Sequence, residues 1–255
     1  MQPRLAVERV EVIYTAPGGD TALPALGPLS FSIEAGSFIC LIGPSGCGKS
    51  TLIRILAGLQ RPTTGSATLD GQPISVPSRR VGLMFQDANL MPWRTVLENI
   101  ALPLELSNVS KHERLKAARG LLSSLGLSEE FAEAYPGELS GGMAQRVALG
   151  RVLIQKPDVL LLDEPFGALD ALTREQISLD LMAMWAAQRQ TVLMITHSIH
   201  EAILLSDRIL VLSQRPGQII ADIAVPLPRP RRLEVAYSPE FGEIASHIRE
   251  IIEKP

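Results

Sequence analysis

Several absences in this chain narrow what it can be. Long apolar runs are missing: unbroken stretches are as short as Val159 to Leu162, far below the roughly 18 residues that suggest a membrane span. The opening residues, MQPRLAVERVEV, alternate apolar and charged side chains and contain no signal-peptide core. Cysteine is scarce. The two present, Cys40 and Cys47, lie on adjoining segments, which argues against a disulfide framework and for a reducing compartment. A basic excess is missing as well: the formal net charge is -3, so nucleic acid is not the expected partner. No internal repeat, low-complexity tract or sustained heptad run is present, which speaks against a long coiled coil.

What remains is an ordinary globular composition, 46% hydrophobic and 20% charged over 255 residues, enough for one large α/β domain with an inserted lobe. Leu5 to Tyr14, Leu29 to Ile33 and Ser66 to Leu69 alternate in the strand period, the last ending at an Asp70-Gly71 turn. They read as half-buried antiparallel strands. Phe38 to Ile42, Val81 to Phe85, Val159 to Leu162, Thr191 to Ile195 and Ile209 to Leu212 are nearly continuous apolar runs, as in strands covered on both faces. Helical stretches separate several of them, so a mostly parallel sheet is expected. Between Asp87 and Lys156 helix signals dominate. Ser110 and Glu113 form a capping box, Leu115, Ala118, Leu122 and Leu125 follow at helical spacing, and Gly126 is the stop. The expected division is residues 1–86 and 157–225 as a core, 87–156 as a helical lobe, and 226–255 as a tail. In the tail, Pro226, Pro228 and Pro230 with Arg229, Arg231 and Arg232 read as an irregular linker before a last helix, Pro239 to Glu253.

Gly43, Pro44, Ser45, Gly46, Cys47, Gly48, Lys49 and Ser50 read GPSGCGKS and fit G-x-x-x-x-G-K-[ST] at every specified position. A buried strand precedes the string. An expected helix follows through Thr51, with Leu52, Ile55, Leu56 and Leu59 on one face. Glycines let backbone N–H groups curl round an anion, and the helix N-terminus adds partial positive charge. Lys49 supplies a mobile cation for β- and γ-phosphates, and the Ser50 hydroxyl is placed to ligate Mg²⁺. Cys47 is either a neutral spacer or a thiol made reactive by the helix end and Lys49.

Val159 to Leu162 runs into Asp163 and Glu164. Two acids ending a buried strand lie where open α/β sheets bind ligands, although a solvated strand end has the same spelling. Asp163 suits the Mg²⁺ shell, and Glu164 suits a base for attacking water. The neighbouring string LSGGMAQR, Leu139 to Arg146, together with VLLLDEP, closely resembles the ABC transporter ATPase family over essentially the whole chain.

That resemblance implies an α/β P-loop NTPase core with a mostly parallel sheet, an antiparallel β subdomain and an inserted α-helical subdomain. It implies ATP and Mg²⁺ as ligands, and it gives roles to further residues. Tyr14 resembles the aromatic that stacks on adenine. Gln86 resembles the glutamine that links Mg²⁺ and water to the helical lobe. Ala168, Leu169 and Asp170 resemble the D-loop, and His197 the switch histidine at the γ-phosphate. Ser140, Gly141, Gly142 and Gln145 belong to the signature, whose helix N-terminus closes in this family on the ATP of a sister copy. The implied partners are therefore a second ATPase subunit, integral membrane permease subunits and, indirectly, a solute-binding protein, with the chain peripheral on the cytoplasmic membrane face.

DANLMPWRTVLENIALPLEL after Gln86, and RPGQII from Arg215, are similar to the nitrate, sulfonate and taurine importer group. Leu90, Met91, Pro92 and Trp93 form an apolar patch that is either local core or a groove for a permease helix. The other class to weigh is an ABC-type ATPase acting on nucleic acid or the ribosome. One cassette without a coiled-coil insertion favours the transporter.

Overall fold

The computed structural model describes residues 3–15, 22–167 and 169–253. Two sheets organise them. The first holds β1 (Leu5–Thr15), β2 (Ala22–Ile33), β4 (Thr64–Leu69) and β5 (Gln72–Pro73) in the antiparallel order β2-β1-β4-β5. The second holds β3 (Phe38–Ile42), β6 (Val81–Met84), β7 (Val159–Asp163), β8 (Thr191–Ile195), β9 (Arg208–Leu212) and β10 (Ile219–Ala224) in the order β10-β9-β3-β8-β7-β6. It is parallel except for β10, which pairs antiparallel at one edge.

Side-chain alternation along the parallel strands sorts their apolar residues onto two faces. Phe38, Cys40 and Ile42 of β3, with Leu160 and Leu162 of β7, join a core built with the helical lobe. Ile39 and Leu41, with Val159 and Leu161, join a second core against α1 (Lys49–Leu56) and the antiparallel sheet. Fully burying one such Leu or Ile is worth about 1.5–3 kcal/mol, so continuous apolar strands are the expected solution for a sheet covered twice.

The strand expectations hold, with differences at the ends. β2 begins at Ala22, not near Leu29, and continues past Pro24 and Pro28. Those prolines argue against a strand by propensity, but register shifts between Val7 and Ile13 on the partner strand accommodate them. β10 was not expected; as a six-residue edge strand it gains its order from β9. Leu59 does not continue the buried face of α1: Gly58, at φ +73°, ends the helix, and Leu59 is 53% exposed.

The lobe contains α2 (Val96–Glu105), α3 (Lys111–Leu122) and α4 (Gly141–Leu153). Ser110 caps α3 by accepting from Glu113 N–H, but its hydroxyl bonds the Glu113 carboxylate, leaving only half of the expected box. The complete box lies at Thr95 and Glu98, ahead of α2. α5 (Ala171–Gln188), α6 (Ile199–Leu205) and α7 (Pro239–Glu253) complete the fold.

The Pro/Arg stretch is irregular, as expected, but packed. Arg231, 5% exposed, donates to the carbonyls of Ile203, Leu204, Ser206, Val225 and Leu227. These bonds replace the water that a buried guanidinium gives up. Arg229 pairs with Asp207 and covers the Trp185 ring.

Candidate active site

The loop between β3 and α1 bends because glycine permits it. Gly46 and Gly48 have φ of +77° and +103°. At Gly48 a Cβ atom would come within 2.5 Å of Leu26 and 2.7 Å of the Ala25 carbonyl, so no other residue fits there. No side chain caps α1, leaving its first N–H groups for an anion.

A cavity of about 510 Å³ opens above this loop, lined by Tyr14, Ala25, Ser45, Gly46, Gly48, Lys49, Ser50, Thr51, Gln86, Glu164 and Arg215. Nine of the sequence-predicted residues therefore converge on one space. Lys49 Nζ donates to the carbonyls of Gly43 (2.8 Å) and Pro44 (2.9 Å). Ser50 Oγ lies 3.4 Å from Asp163 Oδ1. Burial raises the Asp163 pKa, outweighing the hydrogen bond from Ser50. Tyr14 Oη is 3.2 Å from Thr51 Oγ1 and accepts from Gln60 at 3.1 Å, leaving its ring at the cavity wall.

Glu164 follows β7 in the left-handed region, φ +46°. An acid held there is backbone strain at the wall of the cavity. Its N–H donates to Ile195 O at 3.0 Å, and its Oε2 lies 3.4 Å from Nδ1 of His197. The parallel pairing of β7 and β8 thus brings together two residues 33 positions apart in sequence.

The signature residues face a different hollow. Ser140 is the N-cap of α4, accepting from Met143 N–H at 3.3 Å. With Gly142, Met143, Arg146, Leu172, Thr173 and others it lines a cavity of about 430 Å³ that shares no lining residue with the first. Gly141 opens α4 beside them. Asp170 does not reach the phosphate-loop cavity; its carboxylate caps α5 through Thr173. Ala168 lies outside the described residues.

One expectation needs correction, and one open alternative narrows. Gln145 is not presented to a ligand: it is 5% exposed, and its Nε2 donates to Gln86 O at 2.7 Å. As the fifth residue of α4 it points inward, which helical phase decides and the motif string does not show. Of the two readings of Cys47, the structure favours the neutral spacer. Cys47 is 1% exposed, and burial pushes its thiol pKa up despite Lys49. Neither Cys40 nor Cys47 is in a disulfide.

Sequence reasoning missed Ala25 and Arg215 as cavity walls, since both come from strands and loops distant in sequence. It also missed Glu201, which is buried and accepts from Thr196 Oγ1 at 2.5 Å, fixing the segment before His197. A larger hollow of about 630 Å³ on the lobe is lined by Leu97, Leu115, Lys116 and Arg119 among others. It gathers neither the phosphate loop nor Gln86, Asp163, Glu164 or His197, so size does not mark the chemistry.

The sequence model of the family described as ABC transporter matches residues 26–167, more than half of the chain. The chain belongs to the ABC transporter family. The taurine import ATP-binding protein of Rhizobium johnstonii is 43% identical over 254 residues, covering 97% of this chain and 96% of that relative. The nitrate import ATP-binding protein of Synechocystis sp. is 43% identical over 234 residues, covering 89% and 88%. Among solved structures, a dimeric ATP-binding cassette in a post-hydrolysis state with ADP and Pi superposes with a TM-score of 0.76 at 33% identity. It covers 88% of this chain and 100% of that one. This ABC chain is accordingly an ATP-binding and ATP-hydrolysing subunit with the P-loop NTPase fold. Among the described residues no helix is long and apolar enough to cross a membrane.

Proposed function

We propose that this ABC subunit powers import of a small solute of the nitrate, sulfonate or taurine kind, working as a head-to-tail pair beneath separate permease subunits. A solute-binding protein would choose the cargo, and the chain would sit on the cytoplasmic membrane face. The import names of the taurine and nitrate relatives support the direction and the solute class. The observation that carries the pairing is the separation of the two cavities: no signature residue lines the phosphate-loop cavity. A sister copy supplies the missing wall, its α4 N-terminus facing the γ-phosphate. Residues 1–86 and 157–225 then form the nucleotide core, 87–156 the moving lobe, and 226–255 the packed tail.

In this reading Tyr14 stacks on adenine, and the loop from Gly43 to Thr51 wraps the phosphates, with Lys49 leaving its carbonyl partners for the β- and γ-oxygens. Ser50 and Asp163 offer two hard oxygen donors side by side. Among the described residues no group of three or more His, Cys, Asp or Glu forms an all-protein cage. That set fits Mg²⁺, which keeps several waters and shares its shell with substrate phosphates, and Gln86 lies at the cavity edge to join it. Bound there, Mg²⁺ would neutralise charge developing on the phosphate oxygens. Glu164 takes the proton of the attacking water, while His197, beside it, holds the γ-phosphate. Asp170 acts across the pair from the start of α5.

Trp93 is 70% exposed, which favours a partner surface over local core for the apolar patch. Glu164→Gln is expected to keep ATP, lose turnover by about 10²–10⁴-fold, and elute as a dimer in gel filtration with Mg²⁺ and ATP. A monomer under those conditions would sink the pairing. Trp93→Ala is expected to uncouple transport in reconstituted vesicles while basal ATPase stays within about twofold, because exposed substitutions cost within about 0.5 kcal/mol.

A further inference from the structure

The segment from Asp87 to Thr95 runs from the cavity-edge Gln86 to the exposed Trp93. It has little regular structure, and its polar backbone groups must find partners elsewhere. The partners come from two helices of the lobe. Gln145 of α4 donates to Gln86 O at 2.7 Å. Arg151, near the other end of α4, donates to Ala88 O at 2.7 Å and Asn89 O at 2.8 Å. Asn99 of α2, fully buried, accepts from Met91 N–H at 2.8 Å. Its Nδ2 lies 3.1 Å from Met91 O and 3.0 Å from the carbonyls of Arg94 and Thr95. Arg94 is tied to Glu105 at the end of α2. Among the described residues, no group of the parallel sheet hydrogen-bonds to residues 87–95.

Arg151 is the informative member. It has no carboxylate partner among the described residues and spends its charge on two neutral carbonyls. Burial lowers its pKa, so holding the charge there has a cost. Gln145 leaves its own Oε1 buried without a partner. Such costs are tolerated where a side chain fixes the position of something else. What these two fix is a loop, and what carries them is the helix that begins at Ser140.

We infer that Arg151 and Gln145 are positioning residues that fasten residues 86–95 to the signature helix, while Asn99 holds the same segment to the neighbouring α2. Gln86, the Trp93 patch and the signature turn then move as one body. This rests on the proposed pairing and deepens it: force on Trp93 reaches Ser140 through α4, a rod of about 20 Å, rather than through the sheet.

Amide exchange of the full chain, read by mass spectrometry with Mg²⁺ and an imido-bridged ATP analogue, tests this. In the wild type the analogue slows exchange in 87–95 and in 140–146 over one concentration range. Arg151→Met speeds exchange in 87–95 by about tenfold and removes its response to analogue. Protection of 43–51 and 140–146 persists at an unchanged analogue concentration. Arg151→Lys, which keeps the charge but reaches one carbonyl at a time, restores part of the response, and it serves alone if Arg151→Met fails to fold. Parallel responses of 87–95 and 140–146 in Arg151→Met, or a Lys variant no better than Met, overturn the inference. If 43–51 in the wild type gains no protection, nucleotide binding itself has failed and the parent reading falls with it.

Discussion

The two helix N-termini that face phosphate in the proposed mechanism are built differently. That of α1 has no side-chain cap, is preceded by two glycines at positive φ, and is ringed within its own chain by Lys49, Ser50, Asp163, Glu164 and Gln86. That of α4 is capped by Ser140 and opens onto a cavity with no acid and no lysine on its walls. The first is a finished anion site. The second keeps N–H donors beyond the one that Ser140 caps, attractive to phosphate but with no acid or lysine beside them. In the proposed pairing, a chain with one of each uses both only with a second copy, and nucleotide is then the means of association.

Three perturbations would sharpen or break this contrast. The largest effect belongs to Lys49→Ala, which should weaken ATP binding by about a hundredfold in equilibrium dialysis, the usual scale for one charged donor in a closed site. Unchanged affinity would mean that the α1 end is not the finished site. Ser140→Ala should leave binding to the single chain intact and weaken nucleotide-driven pairing. Loss of the cap costs about 1 kcal/mol, a fall in Tm of about 2–4 °C. Equal damage to binding by the single chain would show that Ser140 serves its own nucleotide. The smallest effect concerns Cys47: since burial raises its thiol pKa, maleimide labelling at neutral pH should be negligible in native protein, with or without ATP. It should appear only as pH rises or the chain unfolds. Fast labelling blocked by ATP would restore an activated thiol to the loop.

Legibility followed the source of each constraint. Phe38–Ile42 and Thr191–Ile195 were bounded correctly because a strand buried on both faces must be apolar throughout. The phosphate loop was legible because only glycine takes its backbone angles and only a short string of donors wraps a phosphate. α7 was bounded correctly by its proline start and helical period. β10 and the start of β2 were not legible: an edge strand and a proline-bearing strand owe their order to partners far along the chain. Gln145 was misread because a motif string names residues without saying which side of the helix faces inward.

Residue type and spacing by themselves determined the phosphate-binding backbone, the acids that end β7 and the alternation that splits the apolar residues between two cores. These depend on local sterics and on which side chains water rejects. Folding alone decided the 3.4 Å approach of His197 to Glu164, the separate placing of the signature turn, and the hold of Arg151 and Asn99 on the 86–95 loop. Such contacts join residues whose neighbours in sequence carry no trace of the pairing. They arise only when packed sheets and helices bring unpaired carbonyls and donors together away from water.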